Sequence, residues 1–354
     1  MTGCQLVRAP GGVRIEPLTE PGDDVPHVEM LAAGVCGTDI QIAARTRSDV
    51  ATVLGHEGVG VLRNVAAREA LVVFNPVDPR NPDAVLGHSF NGIFRSWVPL
   101  GPELPLGFLR EVSSLVPVTL LALCEPLATV LYSWELIGST SGPFAVGIWG
   151  AGPIGLLQAT VAADAGHEVV LVHPRLSRLR WVRQQRVGAA LRCVSAANRI
   201  GRSLDVAVLC VPRAAMAAAA REAADTLAPG GLMVLVAALD ERGAAHTFAD
   251  PQVVRVRRRN QCGQIDTDRG TVAGLTREGK PLRVTGHRGS SLEQLGAAER
   301  RLRREPDRFA SLITHRVSPE EAVASINARC AGRSRDDRGA EIVKLVIDFK
   351  ADSG

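Results

Sequence analysis

At 354 residues the chain exceeds the size at which a single hydrophobic core stops growing, so two domains are expected. A composition of 46% hydrophobic against 22% charged residues excludes wholesale disorder, and the longest uncharged apolar stretch, residues 115–124, is too short to cross a bilayer. The net charge is only +4 and the signs are interspersed, which argues against nucleic acid as a partner.

The start carries neither a basic leader nor an apolar run of signal-peptide length, so a cytoplasmic address is the expectation. Seven cysteines, at positions 4, 36, 124, 193, 210, 262 and 330, form no C-x-x-C and no paired framework. They read as reduced thiols.

In chain order, residues 28–65 alternate short apolar runs with Gly, Asp and Asn, and residues 71–100 are rich in Pro, Gly and Asn. Both segments predict strands and loops. From about residue 119 the texture changes. A helix is expected over 120–136, then strands at 144–149, 168–172, 204–211 and 232–237 separated by helices, among them the alanine-rich 214–220. That rhythm belongs to a parallel sheet covered on both faces. Residues 253–257 alternate valine and arginine and suggest an edge strand with one charged face. The tail predicts a helix over 290–304, a short strand in S-L-I-T-H-R-V, a helix opened by Ser318-Pro319-Glu320-Glu321 and a strand over 343–349. Serine caps that helix, proline fixes its first turn, and the carboxylates face the positive end of its dipole. Residues 329–340 read as a polar loop.

The run A-V-G-I-W-G-A-G-P-I-G follows a strand and opens a helix, with Gly150, Gly152 and Gly155 in G-x-G-x-x-G register and Pro153 and Ile154 between. The first glycine permits a tight turn, the second lets the backbone approach a pyrophosphate, and the third lets helix pack on strand. About 20 residues on, where an acid normally receives the ribose hydroxyls, the strand ends in His173-Pro174-Arg175, with Arg178 following. A guanidinium pairs with a 2′-phosphate, so NADP(H) is favoured over NAD(H). Arg180, Arg183 and Arg186 are expected on a solvated helix face.

Three upstream clusters hold ligand chemistry: Cys36, Thr38 and Asp39 in A-G-V-C-G-T-D, His56 and Glu57 in L-G-H-E-G-V-G, and Glu125 in C-E-P-L-A. Thiolate, imidazole and carboxylate are donors of the set that holds a catalytic zinc. Together with G-A-G-P-I-G, G-H-R-G-S and L-I-T-H, in that order over nearly the whole chain, these motifs resemble those of the zinc-dependent medium-chain dehydrogenases, the alcohol, sorbitol and threonine dehydrogenase family. The resemblance implies a Rossmann doubly wound parallel sheet over 139–284 and a GroES-like, mostly-β catalytic domain over 1–138 and 285–354. It also implies a zinc held by Cys36, His56, Glu57 and Glu125, with Asp39 orienting the ligand histidine and Thr38 passing the substrate proton outward. The activity implied is reversible oxidation of a secondary alcohol by NAD(P), in a homodimer or homotetramer. The substrate suggested is a polyol, sugar or aminocyclitol of bacterial specialised metabolism.

Three departures qualify the resemblance. Gln41 stands where relatives often carry a relay histidine and cannot carry a proton as imidazolium. His88 is an alternative exit, although a packing or surface role is the first expectation for it. The cysteine lobe for a structural zinc is replaced by F-N-P-V-D-P-R-N-P-D-A-V, so one zinc site is expected. The segment 244–283 is longer than usual. A zinc-free enone or quinone reductase and a non-catalytic NADP(H)-binding protein on the same fold are the alternatives.

Overall fold

The computed structural model describes residues 2–65, 68–78, 81–102, 104–138, 142–185, 191–239, 241–248, 250, 252–261, 270–277 and 279–350. The chain divides into two compact units, Met1–Ala128 with Ser290–Gly354, and Thr129–Gly289. The sequence reading set these divisions at 138 and 285. Among the described residues no helix is long and apolar enough to cross a membrane, and the described cysteines are free thiols. Cys262 lies outside the described residues.

The first unit is mostly β, as expected. Its main sheet runs Ile313–Val317, Lys344–Asp348, His27–Val35, Glu57–Val65, Arg68–Phe74, Leu109–Glu111, with Trp97–Pro99 also pairing His27–Val35. The strand His27–Val35 is buried along nearly its whole length because it has antiparallel partners on both edges, Glu57–Val65 and Lys344–Asp348. Gly34 lies opposite Glu57 on one side and Val346 on the other. This register carries the C-terminal strand to the ligand motifs.

The second unit is a seven-stranded sheet in the order Arg192–Val194, Glu168–Val172, Ala145–Trp149, Leu204–Leu209, Leu227–Leu235, Lys280–Gly286, Val272–Arg277. Every pair is parallel except the last. The strand order reverses at Ala145–Trp149, and such a switch point is where open α/β sheets bind nucleotides.

Two expectations on secondary structure are corrected. The helix expected over 120–136 is two helices, Val118–Leu121 and Cys124–Ile137. Pro126 has no N–H and its ring clashes with a carbonyl four residues back, so it is tolerated in a first turn but not in a helix interior. The restart puts Glu125 in the first turn of the second helix. Residues 253–257 are not an edge strand but part of the helix Gln252–Arg259, with Val253 and Val256 buried. Valines three apart share a helix face, and V-V-R-V satisfies both periods over so short a run. The rest of the long segment forms the helix Glu241–Phe248 and the antiparallel pair Val272–Arg277 and Lys280–Gly286, with residues 262–269 outside the described set. The cap read at Ser318 is present, and the preceding tail helix is capped in the same way. Ser291 accepts from the Gln294 amide to open Leu292–Arg304, and Ser318 from the Glu321 amide to open Pro319–Cys330.

Candidate active site and metal centre

Cys36 ends the strand His27–Val35 and stands at the N-cap of the helix Gly37–Ala43, with Thr38 and Asp39 in that helix's first turn. Asp39 is wholly buried and ties two motifs together. One carboxylate oxygen accepts from the Cys36 amide at 2.8 Å, and the other accepts from the Gly55 amide at 3.1 Å. The latter oxygen is 3.6 Å from His56 Nδ1, a buried nitrogen with no hydrogen-bond partner. Asp39 thus faces His56, the side chain the sequence expects it to orient, across a gap wider than a hydrogen bond.

Donor atoms of Cys36, His56 and Glu57 all lie within 4.8 Å of one another. Zinc bonded at about 2.0–2.3 Å in tetrahedral geometry separates its ligand atoms by roughly 3.3–3.8 Å, so the three side chains would need only a small contraction to share an ion. Glu125 is buried but does not join this group at that radius, although its charge acts on Cys36. Burial pushes the Cys36 thiol pKa up, and Asp39 adds to this, while Lys344 and the Thr38 amide oppose it. A metal cation supplies the positive charge that stabilises the thiolate. Thr38 is half-buried beside the group.

Sequence reasoning missed three residues around this cluster. Lys344, fully buried on the C-terminal strand, forms an ion pair with Glu57 Oε2. The pair lies over Gly34, where an added Cβ would meet Lys344 Nζ at 2.8 Å and Glu57 Oε2 at 2.9 Å. Glycine here makes room for the two long side chains. Burial pulls the Lys344 pKa down to about 8 against the attraction of Cys36 and Asp39. Arg329, near the end of the helix Pro319–Cys330, buries a guanidinium nitrogen, Nη1, with no hydrogen-bond partner. Its pKa is lowered by burial and supported by Cys36 and Asp39. Asp49 is the third, held by Arg47 at 2.7 Å and lying 3.3 Å from His88 Nδ1. The His88 hydrogen bond, joined by Arg47, holds the Asp49 carboxyl well below the usual range. Lys344 and Arg329 come from the far C-terminal part of the chain and Asp49 meets His88 39 residues away, so no local sequence signal places them beside the cluster.

In the second unit the three glycines divide the work as the motif requires. Gly150 has φ +110° and its amide donates to Val172 O at 2.9 Å. A Cβ there would lie 2.4 Å from the Cys210 carbonyl. At Gly155 a Cβ would fall 1.9 Å from the Gly150 carbonyl, so the helix Pro153–Asp164 meets the turn only without a side chain. At Gly152 a Cβ would meet nothing within 4 Å. Its glycine is not required by protein packing and leaves the helix N-terminus, with Pro153 and Ile154 following, open to an anion. The residues fit a dinucleotide pyrophosphate.

His173 Nδ1 accepts from the Arg175 amide at 3.2 Å, and Arg175 stands at the N-cap position of the helix Leu176–Gln184. Arg178 is only 4% exposed, and its Nη1 donates to the Ala151 carbonyl at 3.3 Å, within the glycine turn. It braces the turn from the protein side. Arg180 and Arg183 are both exposed as expected, and Arg183 also donates to the Cys193 carbonyl at 3.0 Å. Arg186 lies outside the described residues.

No family model matches the chain. Curated relatives include sorbitol dehydrogenase of Ovis aries, 29% identical over 207 residues, covering 52% of this chain and 58% of that enzyme. L-threonine 3-dehydrogenase of Chelativorans sp. is 27% identical over 180 residues, covering 44% and 51%. The chain thus spans little more than half the length of the curated relatives it matches. Among solved structures, a putative zinc-binding dehydrogenase of Sinorhizobium meliloti bound to NADP superposes with a TM-score of 0.68 at 18% identity, covering 98% of this chain and 99% of that one. The fold is shared with that dehydrogenase, and the resemblance to the sorbitol and threonine dehydrogenases read from the motifs agrees with the relatives found.

Proposed function

We propose, on this kinship, that the chain is a cytoplasmic zinc-dependent NAD(P)(H) oxidoreductase that interconverts a secondary alcohol and a ketone. The substrate class is a polyol or sugar-like alcohol. The observation that carries the reading is the convergence of Cys36, His56 and Glu57 around Asp39. It favours a metal enzyme over a zinc-free reductase or a nucleotide-binding protein without catalysis, since neither needs three donors, two of them buried, within 4.8 Å of one another.

Cys36, His56 and Glu57 would hold one zinc ion, with Glu125 as a further carboxylate, and the Gly150–Gly155 turn would hold the nucleotide. When bound, the pair supplies polarisation of the carbinol oxygen and acceptance of hydride. The chain's own residues do the rest. Asp39 fixes the His56 ring. The Thr38 hydroxyl accepts the proton of the substrate alcohol and passes it outward. Gln41 follows one turn on and hydrogen-bonds without carrying a proton, so water completes the exit. Lys344 holds Glu57 when no metal draws it away.

NADP(H) is preferred over NAD(H) because no carboxylate ends the strand at His173 and Arg175 opens the following helix. Arg178 supports this indirectly by fixing the turn, and the expectation that it meets the 2′-phosphate itself is set aside because its side chain is buried against Ala151. A homodimer or tetramer is retained as a proposal, but the open edge is the strand Val272–Arg277 rather than residues 253–257. The deciding experiment combines metal analysis of protein purified without chelator with polyol oxidation in the presence of NADP or NAD. About one zinc per chain and metal-dependent turnover support the reading. An active metal-free enzyme overturns it.

A further inference from the structure

His88 lies in a tight turn seated on the ligand motif. Its carbonyl accepts from the Val50 and Ala51 amides at 3.0 and 2.9 Å. The flanking Gly87 is packed so closely that a Cβ would meet the Gly55 carbonyl at 2.6 Å, and at Gly92 the same contact would be 2.2 Å. The turn therefore has no freedom to carry the ring away from His56. The two rings meet edge-on, with centroids 5.0 Å apart and planes at 65°.

The ring is also fixed from its far side. His88 Nδ1 is 3.3 Å from Asp49 Oδ1, and Asp49 is gripped by the Arg47 fork at 2.7 and 3.1 Å. With Nδ1–H donated to that carboxylate, the neutral ring carries its lone pair on Nε2. Among the described residues no protein group hydrogen-bonds Nε2, and the side chain is 17% exposed. Arg47, Asp49 and His88 thus form a rigid chain ending in one acceptor beside a ligand histidine. Packing alone would be served by an apolar ring and does not need the Asp49 anchor.

We propose that His88 is a specificity residue whose Nε2 accepts a hydrogen bond from a second hydroxyl of the substrate, so that the enzyme selects vicinal diols and longer polyols over mono-alcohols. The inference rests on the dehydrogenase reading above. A substrate oxygen held at the Cys36–His56–Glu57 centre would lie beside His56, whose ring centroid is 5.0 Å from that of His88, and the hydroxyl on the adjacent carbon would be the one placed to reach Nε2. A mono-alcohol has no hydroxyl for this bond and leaves the part-exposed Nε2 to water, so the diol gains an interaction that the mono-alcohol lacks.

The test compares 2,3-butanediol with 2-butanol in the wild type, His88→Phe and His88→Gln, each loaded with zinc and nucleotide. One neutral hydrogen bond corresponds to about a three- to tenfold preference. The wild type is expected to favour the diol by at least that factor in kcat/KM. His88→Phe should abolish the preference through a higher KM for the diol with zinc content unchanged, and His88→Gln, which keeps an acceptor, should restore part of it. A preference that survives His88→Phe, or an equal loss on both alcohols, overturns the assignment. If the wild type oxidises neither alcohol, the dehydrogenase reading fails separately. Calorimetric titration of the diol into zinc-loaded wild type and His88→Phe then decides the inference: a three- to tenfold weaker fit in the variant supports it, and equal or absent binding overturns it.

Discussion

Replacing Lys344 by methionine isolates the buried ion pair beside the ligand cluster. Lys344 and Glu57 are 1% and 2% exposed, so water cannot compensate the carboxylate left behind. Removing one partner of such a pair costs about 3–5 kcal/mol, most of it the penalty of an unpaired buried charge. For a unit of this size that corresponds to roughly 6–20 °C in Tm.

The structure makes the cost conditional. Glu57 also belongs to the cluster with Cys36 and His56, so a divalent cation there neutralises the same carboxylate that Lys344 does. Lys344→Met should therefore lose most stability when stripped of metal and recover much of it on adding zinc. Lys344→Met/Glu57→Gln should be more stable than the single variant without metal, because the orphaned charge is gone. Urea denaturation with chelator and with excess zinc measures both effects. An equal loss under the two conditions, or a double variant no better than the single one, would show that Glu57 is not shared between ammonium and metal.

Thr38→Val deletes the relay hydroxyl at nearly constant volume and should lower turnover by about 10²–10⁴-fold with zinc content unchanged; wild-type rates across pH would assign the proton another route. Gly155→Ala forces a Cβ against the Gly150 carbonyl at 1.9 Å and should destabilise the second unit by about 1–3 kcal/mol. Gly152→Ala, which meets nothing within 4 Å, should change stability by less than about 0.5 kcal/mol yet weaken nucleotide binding at least tenfold, as titration would reveal. His287 is fully buried between Ser133 and Tyr132, and burial, with Arg257, lowers its pKa to about 3. Between that value and the unfolded value of about 6.5 the unfolded chain binds the extra proton, so stability falls as pH drops, by roughly 2 kcal/mol between pH 6.5 and 5. His287→Gln should flatten this limb in urea midpoints taken across that range, and an unchanged slope would locate the acid sensitivity elsewhere.

Ligand motifs were legible in the sequence because their geometry is local. Cys36 and Asp39 are three residues apart, and their hydrogen bond closes one helical turn. The Gly150–Gly155 turn is likewise decided by backbone within a few residues of itself and by its neighbouring strands. The charge that balances the site was not legible. Lys344 touches the Val35 carbonyl across 309 residues of chain, and only the register pairing Gly34 with Glu57 and Val346 brings its ammonium to the carboxylate. Gly34 has no turn to make, and its reason appears only when the two side chains crossing it are known.

Arg178 was read correctly as something other than a solvated residue but given the wrong target. One turn into its helix it points under the glycine turn, where the Ala151 carbonyl takes its charge. The same distinction explains His88, whose fixed ring orientation comes from Arg47 and Asp49 some 40 residues away. In this chain short motifs encode the candidate donors for metal and nucleotide, while β-register and loop docking encode the charges packed against those donors. A substitution that shifts the C-terminal strand by one residue would leave every motif intact. It would turn Lys344 to the opposite face of the sheet, and Glu57 would be left to the metal alone.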